Sequence, residues 1–353
     1  MTRPGAGSST PSSRSNATRY LITGGCGFIG SNFIRCLLAN RRDASVTNFD
    51  ALTYAGNRDN LLDVEGDDRY AFERADIADA EAVGRVMAKG FDVVVNFAAE
   101  SHVDRSLYDP ARFVRTNVLG AQNLLEAARS QGVPRFVQIS TDEVYGSLGP
   151  EGKFTETTPL APSSPYSATK AAGDLLALAF FKTFGFPVIV TRSSNNYGPY
   201  QFPEKLIPLC ISNAMEGKNL PVYGDGMNVR DWLFVEDNCE AILAIAEKGR
   251  VGEVYNVGGG CEVPNIELIK AMLREMNKPE SLITFVTDRP GHDRRYALDS
   301  SKLTRELGWS PRVGISEGLR RTVEWFSQNR GWLERVRSGA YRDFYEQHYG
   351  RKL

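Results

Sequence analysis

An α/β fold, built on a Rossmann-type doubly wound parallel sheet with a smaller C-terminal substrate-binding lobe, is predicted by three observations. Short apolar runs alternate with longer amphipathic segments from Arg19 to about residue 192, the rhythm of βαβ units. The first run opens into Thr23-Gly24-Gly25-Cys26-Gly27-Phe28-Ile29-Gly30, with glycines at GxxGxxG spacing and a helical pattern behind them. The next strand ends in Asp50, twenty residues beyond Gly30, where a carboxylate can meet the ribose of a bound dinucleotide.

Taken in order, residues 1–17 consist of Ser, Thr, Gly, Pro and Arg with nothing to bury, and a disordered extension is expected. Residues 18–195 form the dinucleotide-binding domain. Its strands are expected at 19–23, 45–50, 69–74, 92–97, 134–140 and 187–192. Helices are expected at 28–40, 79–88, 110–131 and 164–184, the third ending at Gln131-Gly132-Val133-Pro134, a glycine and proline stop. After Asn195 the rhythm breaks into glycine- and proline-rich connections, so residues 196–328 are expected to form the substrate lobe, with helices near 204–216, 237–247 and 264–276. Two short apolar runs, 231–235 and 253–257, are expected to rejoin the main sheet, which would carry 231–260 back to the first domain. Residues 316–348 read as two helices broken at Asn329-Arg330-Gly331, and 329–353 as a helical tail.

Composition narrows the function classes. A formal net charge of -1 supplies no global field for nucleic acid or a membrane surface. The five cysteines are odd in number and widely spaced, without a CxxC pair or a neighbouring histidine. That argues against disulfides or zinc and for reduced thiols in cytoplasm. No apolar run is long enough to span a membrane, and no signal peptide is expected.

The chemistry is expected where the 134–140 strand ends, at Ser140-Thr141-Asp142-Glu143-Val144-Tyr145-Gly146, because ligands of open α/β sheets bind at the carboxyl edge. Taken alone, an Asp-Glu dipeptide is as a rule a solvated acidic pair. Here Tyr166-Ser167-Ala168-Thr169-Lys170 follows, opening a helix that sets Tyr166 and Lys170 one turn apart on one face. Two carboxyls sharing a site push their pKa values apart, which suits acid and base roles. Asp50, with no arginine immediately after it and Arg58 the nearest, selects NAD over NADP. Asp76-Ile77 and Ala98-Ala99 occupy further strand ends and are candidates for flanking adenine and the central ribose, although capping and small-residue packing explain them equally well.

The ordered motifs GGCGFIG, AAESHVDRS, STDEVYG, YSATK, SNNYGPYQFPEKLIP, VRDW and DRPGHDRRY resemble the extended short-chain dehydrogenase/reductase family from about residue 18 to 328. The resemblance implies a hydro-lyase that oxidises a nucleotide sugar at C4, eliminates water across C5 and C6, and reduces C6 with the same tightly held NAD. It implies Tyr166 as the base at the C4 hydroxyl, with Lys170 lowering its pKa and holding the nicotinamide ribose. It gives Glu143 as the base at C5, Asp142 as the acid, and Thr141 as a bond to the C4 oxygen. Gly24, Gly27, Phe28, Ile29, Gly30, Asp50, Leu52, Thr53, Thr116 and Asn196 join the cofactor set. His102, Asn195, Glu204, Lys205, Pro221, Tyr223, Arg230, Asn265, Asp288, Arg289 and His292 become candidate sugar-nucleotide contacts. Of these, Arg230 is the candidate clamp for a diphosphate, and Tyr223 is a candidate to stack on the pyrimidine.

The implied substrate is dTDP-glucose, with UDP-glucose dehydration, or an epimerase or decarboxylase of another nucleotide sugar, as the alternative. A silent NAD-binding scaffold is the reading from another class. The resemblance further implies a homodimer through helices 110–131 and 164–184, with a monomer as the alternative, and neither metal nor nucleic acid as a ligand. Cys26 in the glycine turn and Ala51 after Asp50 depart from the family pattern, and neither is a proposed catalytic position.

Overall fold

The computed structural model describes residues 17–337; the expected disordered extension up to residue 16, and the end of the tail from 338 onward, lie outside the described residues. The chain begins with β1 (Thr18–Thr23), α1 (Phe28–Asn40), β2 (Ala44–Asp50), β3 (Tyr70–Arg74), α2 (Ala80–Met87) and β4 (Val93–Asn96). It continues through α3 (Val103–Tyr108), α4 (Pro110–Phe113), a π-helical stretch (Val114–Gly120), α5 (Ala121–Ser130), β5 (Phe136–Thr141), α6 (Pro165–Phe184) and β6 (Val188–Ser193). The helix expected over 110–131 is therefore continuous but widened in its middle, a local geometry that hydrophobic periodicity cannot reveal.

These strands pair in parallel in the order β3-β2-β1-β4-β5-β6, and β10 (Val254–Val257) adds itself beyond β6. Adjacent residues face opposite layers. Ile22, Val95 and Val137 pack with α1 and with α8 (Val235–Lys248), whereas Leu21, Val94 and Phe136 pack against Leu124, Leu125 and Ala177 of α5 and α6. Both faces are covered, which is why the strands read as apolar runs rather than alternating ones.

The remaining elements build the lobe. β7 (Asn195–Tyr197), β9 (Val229–Phe234) and β11 (Glu262–Pro264) form a three-stranded sheet, and β8 (Leu220–Tyr223) pairs with β12 (Ile283–Val286). Residues 231–235 thus depart from expectation: the strand pairs with β7 and β11, and only 254–257 enters the main sheet. The run is buried either way, so hydrophobicity could not choose between two sheets. Helices α7 (Leu206–Met215), α9 (Asn265–Glu275), α11 (Ile315–Gln328) and α12 (Arg330–Val336) enclose the lobe's own core around Tyr197, Phe234 and Phe326. The short helix α10 (Ser301–Leu307) lies against β10.

Candidate active site

The carboxyl ends of β1, β4, β5 and β6 open into a cavity of about 480 Å³. The turn after β1 is shaped by sterics. Gly24 sits at φ +69, where a Cβ would meet the Ala98 backbone nitrogen at 2.6 Å, and a Cβ on Gly30 would meet the Gly24 carbonyl at 2.4 Å. The turn therefore admits no side chain at either point, and it brings the free N–H groups at the start of α1 to the cavity wall, a site suited to a pyrophosphate. Asp50 ties this turn to the next strand: Oδ2 accepts from the Cys26 amide at 2.9 Å and Oδ1 from the Leu52 amide at 2.7 Å. A carboxylate has about four lone-pair positions, so acceptor capacity remains for a ribose.

Gly27, Phe28, Ile29, Thr53, Asp76, Ile77, Ala98, Ala99, Thr116 and Asn196 line the same cavity, together with Thr141, Asp142, Glu143, Tyr166 and Lys170. Leu52 does not. Its backbone has φ +52, its amide serves Asp50, and its side chain packs on the apolar layer against α1.

Local sequence explains how the reacting groups are presented. β5 ends in a 3₁₀ turn over Asp142–Tyr145, where the Thr141 hydroxyl accepts from the Glu143 amide at 3.3 Å and Gly146 closes the turn at φ +81. Helix α6 starts with a capping box between Ser164 and Ser167, has Pro165 in its first turn, and stops at Gly185 with φ +67. That start places Tyr166 and Lys170 beside the turn.

The two carboxyls differ in environment. Asp142 is buried, and burial, Glu143 and Asp231 together hold its pKa well above the usual carboxylate range. Burial also raises Glu143, but Arg289, Lys205 and Arg230 pull it back down. The pair is thus arranged with Asp142 as the proton holder and Glu143 as the more readily ionised partner.

Lys170 behaves otherwise than expected. Its Nζ donates to the Ile139 carbonyl at 2.6 Å, and burial lowers its pKa to about 8. Tyr166 is pushed well above its ordinary value by burial and by Glu143, with the Thr141 hydroxyl opposing. The expected lowering of the Tyr166 pKa by Lys170 is therefore not met among the protein's own groups, because the ammonium is turned to a backbone carbonyl.

A second cavity of about 140 Å³ adjoins the first and shares Glu143, Asn195, Lys205, Leu206 and Trp232 with it. His102, Glu204, Pro221, Tyr223, Arg230, Asn265, Arg289 and His292 line it; Thr141 belongs to the larger cavity instead. Asp288 lines neither, since it stands at the surface and meets His292 Nδ1 at 2.6 Å. Arg230 is fixed by donating to the Val229 and Asp293 carbonyls at 2.8 and 2.9 Å, with its guanidinium 4.3 Å from the Tyr296 ring. Lys205 donates to the Ser101 carbonyl at 2.8 Å, and Arg289 to Asp104 Oδ1 at 2.9 Å. Burial lowers His102 to about 3 and His292 to about 4, which leaves Lys205, Arg230 and Arg289 as the positive charges of this cavity.

Sequence reasoning passed over Trp232 and Tyr296, although both close motifs it used, VRDW and DRRY. It also missed two ion pairs with buried carboxylates, Glu100 with the exposed Arg112 at 2.7 Å and Glu204 with Arg105, whose Nε donates at 3.0 Å. Their partners are charged residues on polar helical turns, which carry no distinguishing pattern in one sequence.

A side-chain-free turn over a helix start, opening onto a tyrosine, a lysine and a carboxyl pair beside a cationic cavity, defines a dinucleotide-dependent redox enzyme of the short-chain dehydrogenase/reductase type. The family described as GDP-mannose 4,6 dehydratase matches residues 21–322. The dTDP-glucose 4,6-dehydratase of Xanthomonas campestris pv. campestris (strain B100) is 54% identical over an alignment of 342 positions that covers 92% of this chain and 97% of the relative. The dTDP-glucose 4,6-dehydratase 1 of Escherichia coli (strain K12) is 50% identical, over 94% of this chain and 99% of its own. Among solved structures, DesIV (dTDP-glucose 4,6-dehydratase) from Streptomyces venezuelae with NAD and TYD bound superposes with a TM-score of 0.88 at 50% identity, covering 90% of this chain and all of that one. The chain belongs to the GDP-mannose 4,6 dehydratase family, among its dTDP-glucose 4,6-dehydratases.

Proposed function

We propose that the chain converts dTDP-glucose to dTDP-4-keto-6-deoxyglucose and water as an NAD-dependent 4,6-dehydratase. The observation that carries this reading is the position of Glu143, at the junction of the dinucleotide cavity and the cationic cavity, beside a buried Asp142 whose pKa is held well above the usual carboxylate range. A redox site needs no such acid. An elimination does.

The cradle at Gly24 and Gly30 fits a dinucleotide, and Asp50 fits the unphosphorylated ribose of NAD. Arg58, the nearest cation in sequence, donates to Glu65 at 2.7 Å and lies over the Phe72 ring, so it is not directed at a 2′-phosphate. NAD held there would supply a hydride acceptor for sugar C4, a hydride donor for C6, and the positive charge of its oxidised ring.

Tyr166 takes up the proton of the C4 hydroxyl. The protein's own groups favour its phenol form, so its base form depends on cationic charge brought to the site. Thr141, within the same cavity, orients the C4 oxygen. Once C4 is a ketone the C5 proton is acidic. Glu143 removes it, helped into its charged form by Arg289, Lys205 and Arg230, Asp142 donates its proton to the departing C6 hydroxyl, and Glu143 gives its proton back to C5 as C6 receives hydride. Arg230 and Arg289 receive the diphosphate, and Tyr223, in edge contact with His292, borders the base.

The same reading includes a homodimer in the cytoplasm. Leu107, Tyr108, Val114, Leu119, Leu175 and Phe184 are exposed apolar residues on the α3 to α6 side, a patch suited to a second copy. Among the described residues, no helix is long and apolar enough to cross a membrane. Light scattering on the purified protein checks the dimer, and a monomeric mass at micromolar concentration rejects it.

The function is tested by incubating the purified protein with dTDP-glucose without added nicotinamide and following mass. Loss of one water with no net change in NAD is the expected result. Turnover of UDP-glucose in preference, or of neither sugar even with added NAD, overturns the reading.

A further inference from the structure

One turn beyond Lys170 on α6, outside the cavity wall, Asp174 is completely buried. Its Oδ2 accepts from Arg192 Nε at 3.0 Å, and Arg192 is itself buried on β6. Arg192 Nη1 donates to Tyr145 Oη at 2.9 Å, and Tyr145 donates to Asn256 Oδ1 at 2.8 Å. A buried ion pair is weak evidence of stabilisation, since desolvation offsets the attraction. What the charge does accomplish lies one turn back, where helical neighbours at i and i+4 stand about 5–6 Å apart. Lys170, a buried ammonium, makes its hydrogen bond to a neutral carbonyl, that of Ile139.

We propose that Asp174 is a positioning residue acting through Lys170: its carboxylate, anchored by Arg192, keeps the Lys170 side chain charged and seated on the Ile139 carbonyl at the cofactor cavity. This rests on the reading of Lys170 as part of the reacting site. The charged and titratable groups on elements packed around α6 are Arg192 on β6, Asp142, Glu143 and Tyr145 in the turn after β5, and Tyr166 and Lys182 on α6 itself. On the helical side they are Asp104, Arg105, Tyr108, Arg112, Arg115, Glu126 and Arg129. Asp174 is the charge that opposes burial at Lys170, whose ammonium is already depressed to about 8.

The test uses the NAD-loaded protein and two variants, Asp174→Asn and the double variant Asp174→Asn with Arg192→Gln, which removes the pair as a unit so that Arg192 is not left buried without its carboxylate. Two quantities are followed against pH: kcat for dTDP-glucose, and the rate of Lys170 acetylation by acetic anhydride, which releases acetate, read by mass spectrometry. Both profiles are expected to move acidward by about one pH unit, with NAD content and kcat near pH 6.5 close to the parent. A profile that coincides with the parent's in either folded variant reduces Asp174 to a structural role; where the single variant fails to fold, the double variant decides. A parent that acetylates normally but does not dehydrate the sugar refutes the proposed function, while the acetylation profiles still judge Asp174.

Discussion

Asp50→Asn separates two tasks that one carboxylate performs. Both its oxygens already receive backbone amides, Cys26 from the glycine turn and Leu52 from the following loop. An asparagine keeps one acceptor and turns an NH₂ towards the other amide. The lost charge-assisted bond is worth about 1.5–3 kcal/mol, and a buried amide left unbonded costs about 1–3 kcal/mol more. Against this, Asn escapes the desolvation that raises the Asp50 pKa, so a net loss of about 2 kcal/mol is expected. That loss falls on the turn with or without NAD; the ribose also loses a charged acceptor, worth about 1.5–3 kcal/mol or roughly 10- to 150-fold weaker NAD binding. The assay is calorimetric titration of NAD-stripped protein, with thermal melting of the same sample. A lower melting temperature in the absence of NAD reports the turn, and weakened binding reports the ribose. Unchanged NAD affinity in a folded variant would refute the assignment of Asp50 to the cofactor site.

Other substitutions address the chemistry directly. Glu143→Gln and Asp142→Asn should still exchange the C4 hydrogen with bound NAD, seen as transient absorbance of reduced nicotinamide, while water loss slows by about 10²–10⁴-fold; elimination at the parental rate removes the carboxyls from that step. Tyr166→Phe should abolish the transient itself, so a persisting transient means another base. Arg230→Lys keeps the charge but loses the fork that donates to two carbonyls and the stacking on Tyr296; KM for dTDP-glucose should rise about 10-fold or more with a smaller effect on kcat, and an unchanged KM displaces Arg230 from the diphosphate site. In the parent, Lys170 is charged below its pKa of about 8 and neutral above it, so kcat should fall as pH rises through that value. Activity flat to pH 10 would contradict the requirement for the ammonium.

Much of the site could be read from the chain because it is set by short-range sterics and hydrogen bonding. Glycine spacing, the Ser164 cap, the stop at Gly185 and the burial period of strands all act within a few residues. The same locality placed Tyr166 and Lys170 on one helical face and the Asp-Glu pair at a strand end. It failed where two outcomes bury the same residues, as for the strand at 231–235, and where a helix widens without changing its apolar face, as over Val114–Gly120.

Leu52 and Asp288 show the limit residue by residue. Each stands next to groups that line a cavity, yet the backbone turns one into the apolar layer and leaves the other at the surface. By itself the sequence determined the layered fold, the dinucleotide turn and the set of reacting groups. Tertiary structure alone decided how those groups differ. Lys205, Arg230 and Arg289 converge on Glu143 from distant parts of the lobe, while burial, Glu143 and Asp231 raise the pKa of Asp142. Charge interactions fall off with distance through space and not along the chain, so which carboxyl is acid and which is base exists only once the lobe has closed over the sheet.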